Sequence, residues 1–195
     1  MNYLAHLYLS GSNEDVLLGN YIADGIKRED KSNYKPSVIK GISLHKKIDY
    51  FTDRHQIFKR SSKRLTPNYR HYSLVIVDIF YDHFLAKNWN EYHHQSLDEY
   101  ALSIYQILEG RHNELPLQSQ RFLWYMKEYH ILYNYSKLDG IEKVLQGLDT
   151  RTRFKSNMKA SIKELKEFYF EFAHDFSEFF PQLVRFVEDQ EEFIP

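Results

Sequence analysis

The sequence contains no cysteine and no long apolar run, and each absence excludes a class of protein or site. Without cysteine the chain cannot form disulfides, bind metal through thiolates or use a cysteine nucleophile. No stretch approaches the roughly 20 apolar residues that a membrane-spanning helix needs. The first residues, MNYLAHLYLS, lack the basic region that opens a signal peptide. These observations predict a cytoplasmic protein that makes no membrane contact.

The sequence also lacks an excess of charge of either sign, which argues against nucleic acid as a partner. It has 26 Lys and Arg against 27 Asp and Glu, whereas nucleic-acid-binding domains usually carry a basic excess. Aromatic residues, by contrast, make up 16% of the chain and can fill a core with large rings. The length of 195 residues suits one domain, which we place at 1–195.

Only 7 Gly and 5 Pro interrupt the chain, and apolar residues recur at helical rather than alternating spacing. This pattern predicts an all-α fold, a single-domain helical bundle. We expect Ser12 to cap the second helix, Pro36 to open the third and Pro67 to lie in a break. The predicted helices cover 2–9, 12–25, 37–58, 73–87, 96–108, 116–133, 138–148, 151–179 and 181–193.

The stretch GISLHKKIDYFTDRH, residues 41–55, carries polar groups along one side of the third predicted helix. His45, Asp49 and Asp53 follow one another at intervals of four, so they share a face. Leu44 and Ile48 lie on the neighbouring stripe, which places the polar face at the border of the core. Surface pairing between His and Asp is an equally good interpretation of this helix alone, worth only a few tenths of a kcal/mol.

The fourth predicted helix, SLVIVDIFYDHFLAKNW, is apolar on nearly all sides and yet carries two carboxylates. Asp78 sits among apolar neighbours, and Asp82 follows one turn later with His83 beside it. Two buried carboxylates at this spacing repel each other unless a cation lies near them. That cation is either a metal ion or an arginine.

Two further helices place polar residues among apolar ones. Asn20 and Asp24 are four apart in LLGNYIADGIK, and His6 lies inside NYLAHLYL. A single His on an apolar face is more often a core residue than a ligand, but four such helices together favour a site. Imidazole and carboxylate without thiolate suit Mn²⁺, Mg²⁺, Fe²⁺ or Zn²⁺. We interpret the set as a hydrolytic metal site in a helical bundle.

The motifs MNYLAHLYLS, LLGNYIAD, GISLHKKIDYFTD, DIFYDHFLAKNW and LDGIEKVLQGLDTR occur in order along the chain, with FFP near its end. In these motifs the sequence resembles the acyl carrier protein phosphodiesterase family. The resemblance implies an HD-domain-like fold and a Mn²⁺-dependent hydrolase that removes 4'-phosphopantetheine from holo acyl carrier protein, a partner in fatty acid biosynthesis. The sequence departs from the HD superfamily in one respect: its only literal His-Asp doublet is the distant His174-Asp175.

The resemblance singles out Asp24 as the acidic residue most expected to be essential. Expected metal ligands are Asp24, His45, Asp49, Asp82 and His83, the first three of them also catalytic. Residues expected to orient ligands or transfer protons are His6, Asn20, Asp53 and Asp78. A basic rim for an acidic carrier would comprise Lys46, Lys47, Arg54, Arg60, Lys63 and Arg64.

Two alternatives remain open at this point. The same metal site would also serve a nucleotide or another small phosphoester, as in other HD enzymes. A non-enzymatic helical binding module, in which the acids are structural, is the second alternative. Equally, the basic rim has a simpler interpretation as a solvated helix end.

Overall fold

A computed structural model describes residues 1–153 and 155–190, and in this part of the chain it contains eleven α-helices and no β-strand. The all-α prediction is therefore confirmed. None of the described helices is long and apolar enough to cross a membrane. The helices are α1 (Tyr3–Tyr8), α2 (Glu14–Ile22), α3 (Pro36–Arg54), α4 (Gln56–Tyr69), α5 (Tyr72–Lys87), α6 (Leu97–Gly110), α7 (Leu117–Glu128), α8 (Ile131–Asn134), α9 (Leu138–Arg151), α10 (Ile162–Glu167) and α11 (Tyr169–Glu188).

Helix α5 lies at the centre of the core. It contacts α1, α4, α9 and α11, and its buried residues occupy all sides of the helix. Ile76, Val77 and Phe80 are fully buried. Burying a side chain of this size contributes about 1.5–3 kcal/mol. The apolar pattern of SLVIVDIFYDHFLAKNW therefore predicts the burial of this helix correctly.

Helices α2 and α3 cross with their backbones in contact, because each carries a glycine at the crossing point. A Cβ on Gly19 would lie 2.0 Å from the carbonyl oxygen of Val38, and one on Gly41 would lie 2.1 Å from that of Val16. No side chain fits at either position. This close approach brings the end of α2 beside the middle of α3, where the predicted site residues lie.

Several predicted helix boundaries are wrong for identifiable reasons. The third helix ends at Arg54, because the His55 side chain accepts a hydrogen bond from the backbone N–H of Ile57 and starts α4. Asn13, not Ser12, caps α2, since its side chain accepts from two backbone N–H groups of the first turn. Pro67 lies inside α4 rather than in a break. Pro36 does open α3, as predicted. The segment KREDKSNYK contains a 3₁₀ turn over 28–33.

The predicted helices 116–133 and 151–179 are both divided in the structure. His130 lies between α7 and α8 and adopts a left-handed conformation with φ of 47°. The sequence does not predict this turn, because the residue is not a glycine. After α9 the chain turns, and the Asp149 carboxylate accepts hydrogen bonds from the backbone N–H groups of Met158 and Lys159 at 2.6 and 2.9 Å. The predicted helix 181–193 is instead the second half of α11, which continues through Pro181 to Glu188, and positions 191–193 of that prediction lie outside the described residues. Large buried side chains on both sides of Pro181 offset its cost of about 3 kcal/mol: Phe176, Phe179, Phe180 and Leu183.

The doublet His174-Asp175 is structural. Asp175 is buried and accepts hydrogen bonds from Arg60 Nε at 2.7 Å and Ser61 Oγ at 2.6 Å, and it pairs with Arg64. His174 is exposed on the outer face of α11. These contacts tie α11 to α4 and leave Asp175 no free oxygen for a metal.

Replacing Asp175 with Asn is expected to destabilise the fold by about 1–3 kcal/mol at pH 7, because a buried charge-assisted network loses its acceptor. Burial alone would raise the pKa of Asp175, but the hydrogen bonds from Ser61, Arg60 and Arg64 lower it overall. A depressed pKa contributes stability that is fully present above the unfolded value of about 3.9 and is lost progressively as the pH falls from there through the lower pKa of the folded state. Denaturant unfolding at pH 7 and pH 3 tests this, and an equal difference between variant and wild type at both pH values would contradict it.

Candidate metal centre

The side chains of His45 and Asp49 lie one helical turn apart on α3 and face the end of α2. His45 Nε2 lies 3.2 Å from Asp49 Oδ2 and 3.2 Å from Asp24 Oδ1. His45 is buried, Asp49 is half-buried, and the Asp24 side chain is 70% exposed. One imidazole nitrogen thus lies between two carboxylates, one of them open to solvent.

Asn20 fixes the orientation of His45. Its side-chain nitrogen donates hydrogen bonds to the His6 carbonyl at 2.8 Å and to Ser10 Oγ at 2.9 Å. Its Oδ1 and its backbone carbonyl both lie 3.0 Å from His45 Nδ1. Since both of these oxygens only accept, Nδ1 carries the proton of the neutral ring. The lone pair of a neutral His45 is then on Nε2, which faces the carboxylates.

His6 completes the cluster from α1. Its ring stacks on that of His45 with centroids 4.0 Å apart, and its Nε2 lies 3.2 Å from Asp49 Oδ1. His6 is buried, and its Nδ1 has no hydrogen-bond partner within the described residues. A buried imidazole nitrogen without a partner is costly in a site that serves only as packing.

His6, His45 and Asp49 can hold a metal ion. Each offers one ligand atom, and the three atoms lie within 4.8 Å of one another. No other set of three or more His, Asp or Glu residues meets this condition in the described part of the chain. Two imidazoles and a carboxylate suit a divalent ion of the first transition series, and the Asn20 contact is the kind that orients a metal-bound histidine. The residues therefore fit a divalent metal.

The electrostatics of the cluster favour a positive charge between its carboxylates. Burial alone would lower the pKa of His45, but hydrogen bonds to Asp24 and Asp49 raise it to about 9. Burial and the neighbouring His45 charge lower the pKa of His6 to about 4. Burial would raise the pKa of Asp49, but hydrogen bonds from both histidines hold it well below its usual range. A proton on His45 Nε2 thus occupies the place that a bound metal ion would take.

Asp24 and Asp78 lie at the edge of the cluster. The hydrogen bond from His45 lowers the pKa of Asp24. Asp78 on α5 pairs with the α-amino group of Met1 at 2.8 Å, and that amino group lies 3.8 Å from Asp49. Burial raises the pKa of Asp78 to about 6 against the lowering effect of the amino group. Both acids also line a cavity of about 440 Å³ that opens beside the cluster.

The structure does not bring Asp82 and His83 into this group, although the sequence predicts both as ligands. The Asp82 carboxylate accepts hydrogen bonds from the backbone N–H groups of Leu4 at 2.8 Å and Ala5 at 3.3 Å. It thereby caps α1, which has no side-chain cap of its own, and holds His6 in place. Burial raises the pKa of Asp82 to about 7.

His83 makes two contacts that account for both of its ring nitrogens. Its Nδ1 lies 2.8 Å from the carbonyl of Tyr135, and its Nε2 lies 3.0 Å from the hydroxyl of Tyr169. These contacts join α5 to the segments before α9 and at the start of α11. A ligand role for Asp82 or His83 has no geometric support.

The other predicted residues lie outside the cluster. Asp53 is exposed one turn beyond Asp49, and it makes no hydrogen bond or ion pair with any described residue. In the predicted basic rim, Arg60 and Arg64 pair with Asp175, and Arg54 lies over the Tyr50 ring at 3.6 Å.

The sequence pattern does not indicate that His6 joins His45 and Asp49, or that Arg151 lines the same cavity as Asp24. His6 is predicted to orient ligands or transfer protons and not to bind the metal, because one His on an apolar helix carries no spacing signal. Arg151 ends α9 and lines the 440 Å³ cavity together with Asp24 and Tyr3. No local pattern indicates this, since 127 positions separate the two charged residues.

The comparisons with known proteins agree on one family. The sequence matches the acyl carrier protein phosphodiesterase family over residues 1–183. Relatives of that name include one from Serratia proteamaculans, 28% identical over 98% of this chain and 100% of the relative. Another, from Yersinia enterocolitica, is 29% identical over the same shares of both chains. No solved structure matches, so the relation to HD enzymes stays a prediction. The match from the first helix well into α11 shows that this chain belongs to the acyl carrier protein phosphodiesterase family.

Proposed function

We propose that this protein hydrolyses the phosphodiester between 4'-phosphopantetheine and the serine of holo acyl carrier protein. The observation that carries the proposal is the His6, His45 and Asp49 group beside the open carboxylate of Asp24, in a chain of this family. Buried imidazoles and carboxylates next to an open cavity are typical of a hydrolytic site.

In the proposed reaction a water oxygen forms a bond to phosphorus, and the bond from phosphorus to the serine oxygen breaks. The serine oxygen takes up a proton, so the products are apo carrier protein and free 4'-phosphopantetheine. A divalent ion held by His6, His45 and Asp49 would offset charge on the phosphoryl oxygens and lower the pKa of a bound water. We propose Mn²⁺ as the ion, with Mg²⁺, Fe²⁺ and Zn²⁺ as other candidates.

The residues of the chain would share the remaining tasks. Asn20 holds the His45 ring so that Nε2 faces the reacting groups. The Asp24 carboxylate is exposed and lines the cavity, so it is accessible to an attacking water and can accept its proton. Asp82, through the backbone of α1, keeps His6 stacked on His45.

Incubation with holo carrier protein tests the proposal directly. We expect mass spectrometry to detect apo carrier protein and free 4'-phosphopantetheine in equal amounts, in the presence of Mn²⁺. A panel of nucleotides and small phosphoesters run alongside separates this function from the broader phosphohydrolase alternative. If the protein hydrolyses none of these substrates, the result would favour a binding module. A cytoplasmic location stays a prediction.

Some residues of the predicted basic rim are held by other side chains of the protein. Lys46 and Lys63 are exposed and make no ion pair with any described residue, whereas Arg60 and Arg64 are held by Asp175. Lys47 donates a hydrogen bond to Gln190. We therefore propose Lys46 and Lys63 as the residues that attract the acidic surface of the carrier protein.

Reversing both charges, Lys46→Glu with Lys63→Glu, is expected to raise KM for holo carrier protein about 3- to 10-fold at low salt, because long-range attraction becomes repulsion. The effect should shrink at physiological ionic strength, where charges are screened over about 8 Å. Lys166→Glu, an exposed lysine on α10, serves as the control. An unchanged KM at low salt would assign these lysines to a solvated surface.

A further inference from the structure

A cavity of about 440 Å³ adjoins the candidate metal centre, and its lining combines carboxylates with apolar side chains. Its size falls within the roughly 300–1,000 Å³ of small-molecule sites. The carboxylates are those of Asp24 and Asp78. Helix α5 also contributes Ile79, and α9 contributes Val144 and Leu148. A ligand that fits this lining carries both charged or polar groups and apolar ones.

Arg151 supplies a positive charge to the lining of this cavity. It lines this cavity and a neighbouring one of about 620 Å³, and Asp24 and Tyr3 line both as well. Its guanidinium lies 5.6 Å from the centre of the Phe122 ring. Arg151 makes no ion pair with any residue that the structure describes, so its donors are available. Arginine in such a position matches the geometry of a phosphate group.

We propose that this cavity binds the pantetheine arm of the substrate, with the Arg151 guanidinium holding the phosphate at the cavity mouth. The proposal rests on the function proposed above. The arm has a phosphate at one end and a slender body with a dimethyl-substituted carbon, a hydroxyl, two amides and a thiol. Its chemistry therefore matches the lining of the cavity: the phosphate suits Arg151, and the dimethyl-substituted carbon suits the apolar side chains of Ile79, Val144 and Leu148.

Gly147 allows the cavity to be filled without disturbing the fold. It lies inside α9 on the cavity wall, and a Cβ there would meet only the Tyr125 hydroxyl, at an ordinary distance of 3.9 Å. Leucine also favours a helix more than glycine does. Gly147→Leu should therefore fold normally and place its side chain in the space assigned to the arm. The matched control is Gly110→Leu at the end of α6, where a Cβ would meet nothing within 4 Å.

The experiment measures dissociation constants of pantetheine and 4'-phosphopantetheine by titration calorimetry. Wild type should prefer the phosphorylated compound. Gly147→Leu should raise the dissociation constants of both compounds at least about 10-fold, while Gly110→Leu should leave both dissociation constants unchanged. Arg151→Gln should weaken the binding of 4'-phosphopantetheine about 10-fold and leave the binding of pantetheine unchanged, because only the phosphate loses a charged hydrogen bond. Melting temperatures of all variants confirm folding.

Two results would overturn the proposal. One is pantetheine binding by Gly147→Leu as tight as that of wild type. The other is an Arg151→Gln variant that keeps the full preference for the phosphorylated compound. If wild type shows the predicted binding pattern but does not convert holo carrier protein, the arm site stands and the proposed function fails. If it converts holo carrier protein while Gly147→Leu keeps wild-type affinity and KM, the function stands and the arm site fails.

Discussion

Removal of divalent metal by a chelator is expected to lower the conversion of holo to apo carrier protein about 10³-fold, and added Mn²⁺ should restore it. The reason is the group formed by His6, His45 and Asp49, whose ligand atoms lie within 4.8 Å of one another. Stabilisation of phosphoryl charge by a metal ion is worth several kcal/mol, which corresponds to a rate factor of this size. Mass spectrometry of the carrier protein measures the conversion, and elemental analysis measures the bound metal.

A second readout does not depend on catalysis. An ion that binds only the folded state stabilises it by about 2.7 kcal/mol at 100 times its Kd, so Mn²⁺ should raise the melting temperature. His45→Gln should abolish this rise, because the ring nitrogen that faces Asp24 and Asp49 is lost. If the cluster is a metal-free ionic network, chelated protein with no detectable metal will keep both its activity and its melting temperature.

Asp24→Asn is expected to lower kcat at least about 10²-fold while the melting temperature hardly changes. The substitution keeps the shape of the side chain but removes the charge that faces His45 Nε2 and the cavity. The fold should tolerate it, because the Asp24 side chain is 70% exposed and an exposed ion pair contributes at most about 1 kcal/mol. Steady-state kinetics with holo carrier protein and a melting curve check both parts.

Asp53→Asn is the matched control for this experiment. Asp53 is also an exposed carboxylate near the cluster, one turn beyond Asp49 on α3, but it makes no hydrogen bond or ion pair with any described residue. Its loss should leave kcat within about 2-fold of wild type, since surface substitutions rarely change more than about 0.5 kcal/mol. Near-normal turnover by Asp24→Asn, or an equal loss in both variants, would remove Asp24 from the mechanism.

Local features of the sequence predict most of the helices but not how they end. Apolar spacing locates α3, α6 and α9, because a helix with one buried face leaves a period of 3.6 in the sequence. A nearly continuous apolar run locates α5, which is buried on all sides. His130 interrupts one predicted helix with a left-handed backbone conformation. His55 interrupts another because its side chain caps the start of α4. Both depend on contacts rather than on residue type. Conversely, Pro181 remains inside α11 because the buried aromatic residues around it outweigh its cost.

The sequence determines which chemical groups can form the centre, and the tertiary structure decides which residues belong to it. The absence of Cys and the placement of His and Asp on apolar helices limit the ligands to imidazole and carboxylate. Spacing alone treats Asp82 and Asp49 as equivalent carboxylates. Only the fold separates them, because Asp82 meets the backbone N–H groups of α1, 78 and 77 positions away, whereas Asp49 faces His6 and His45. A carboxylate's role follows from the groups that neutralise it, and in a helical bundle those groups come from other helices.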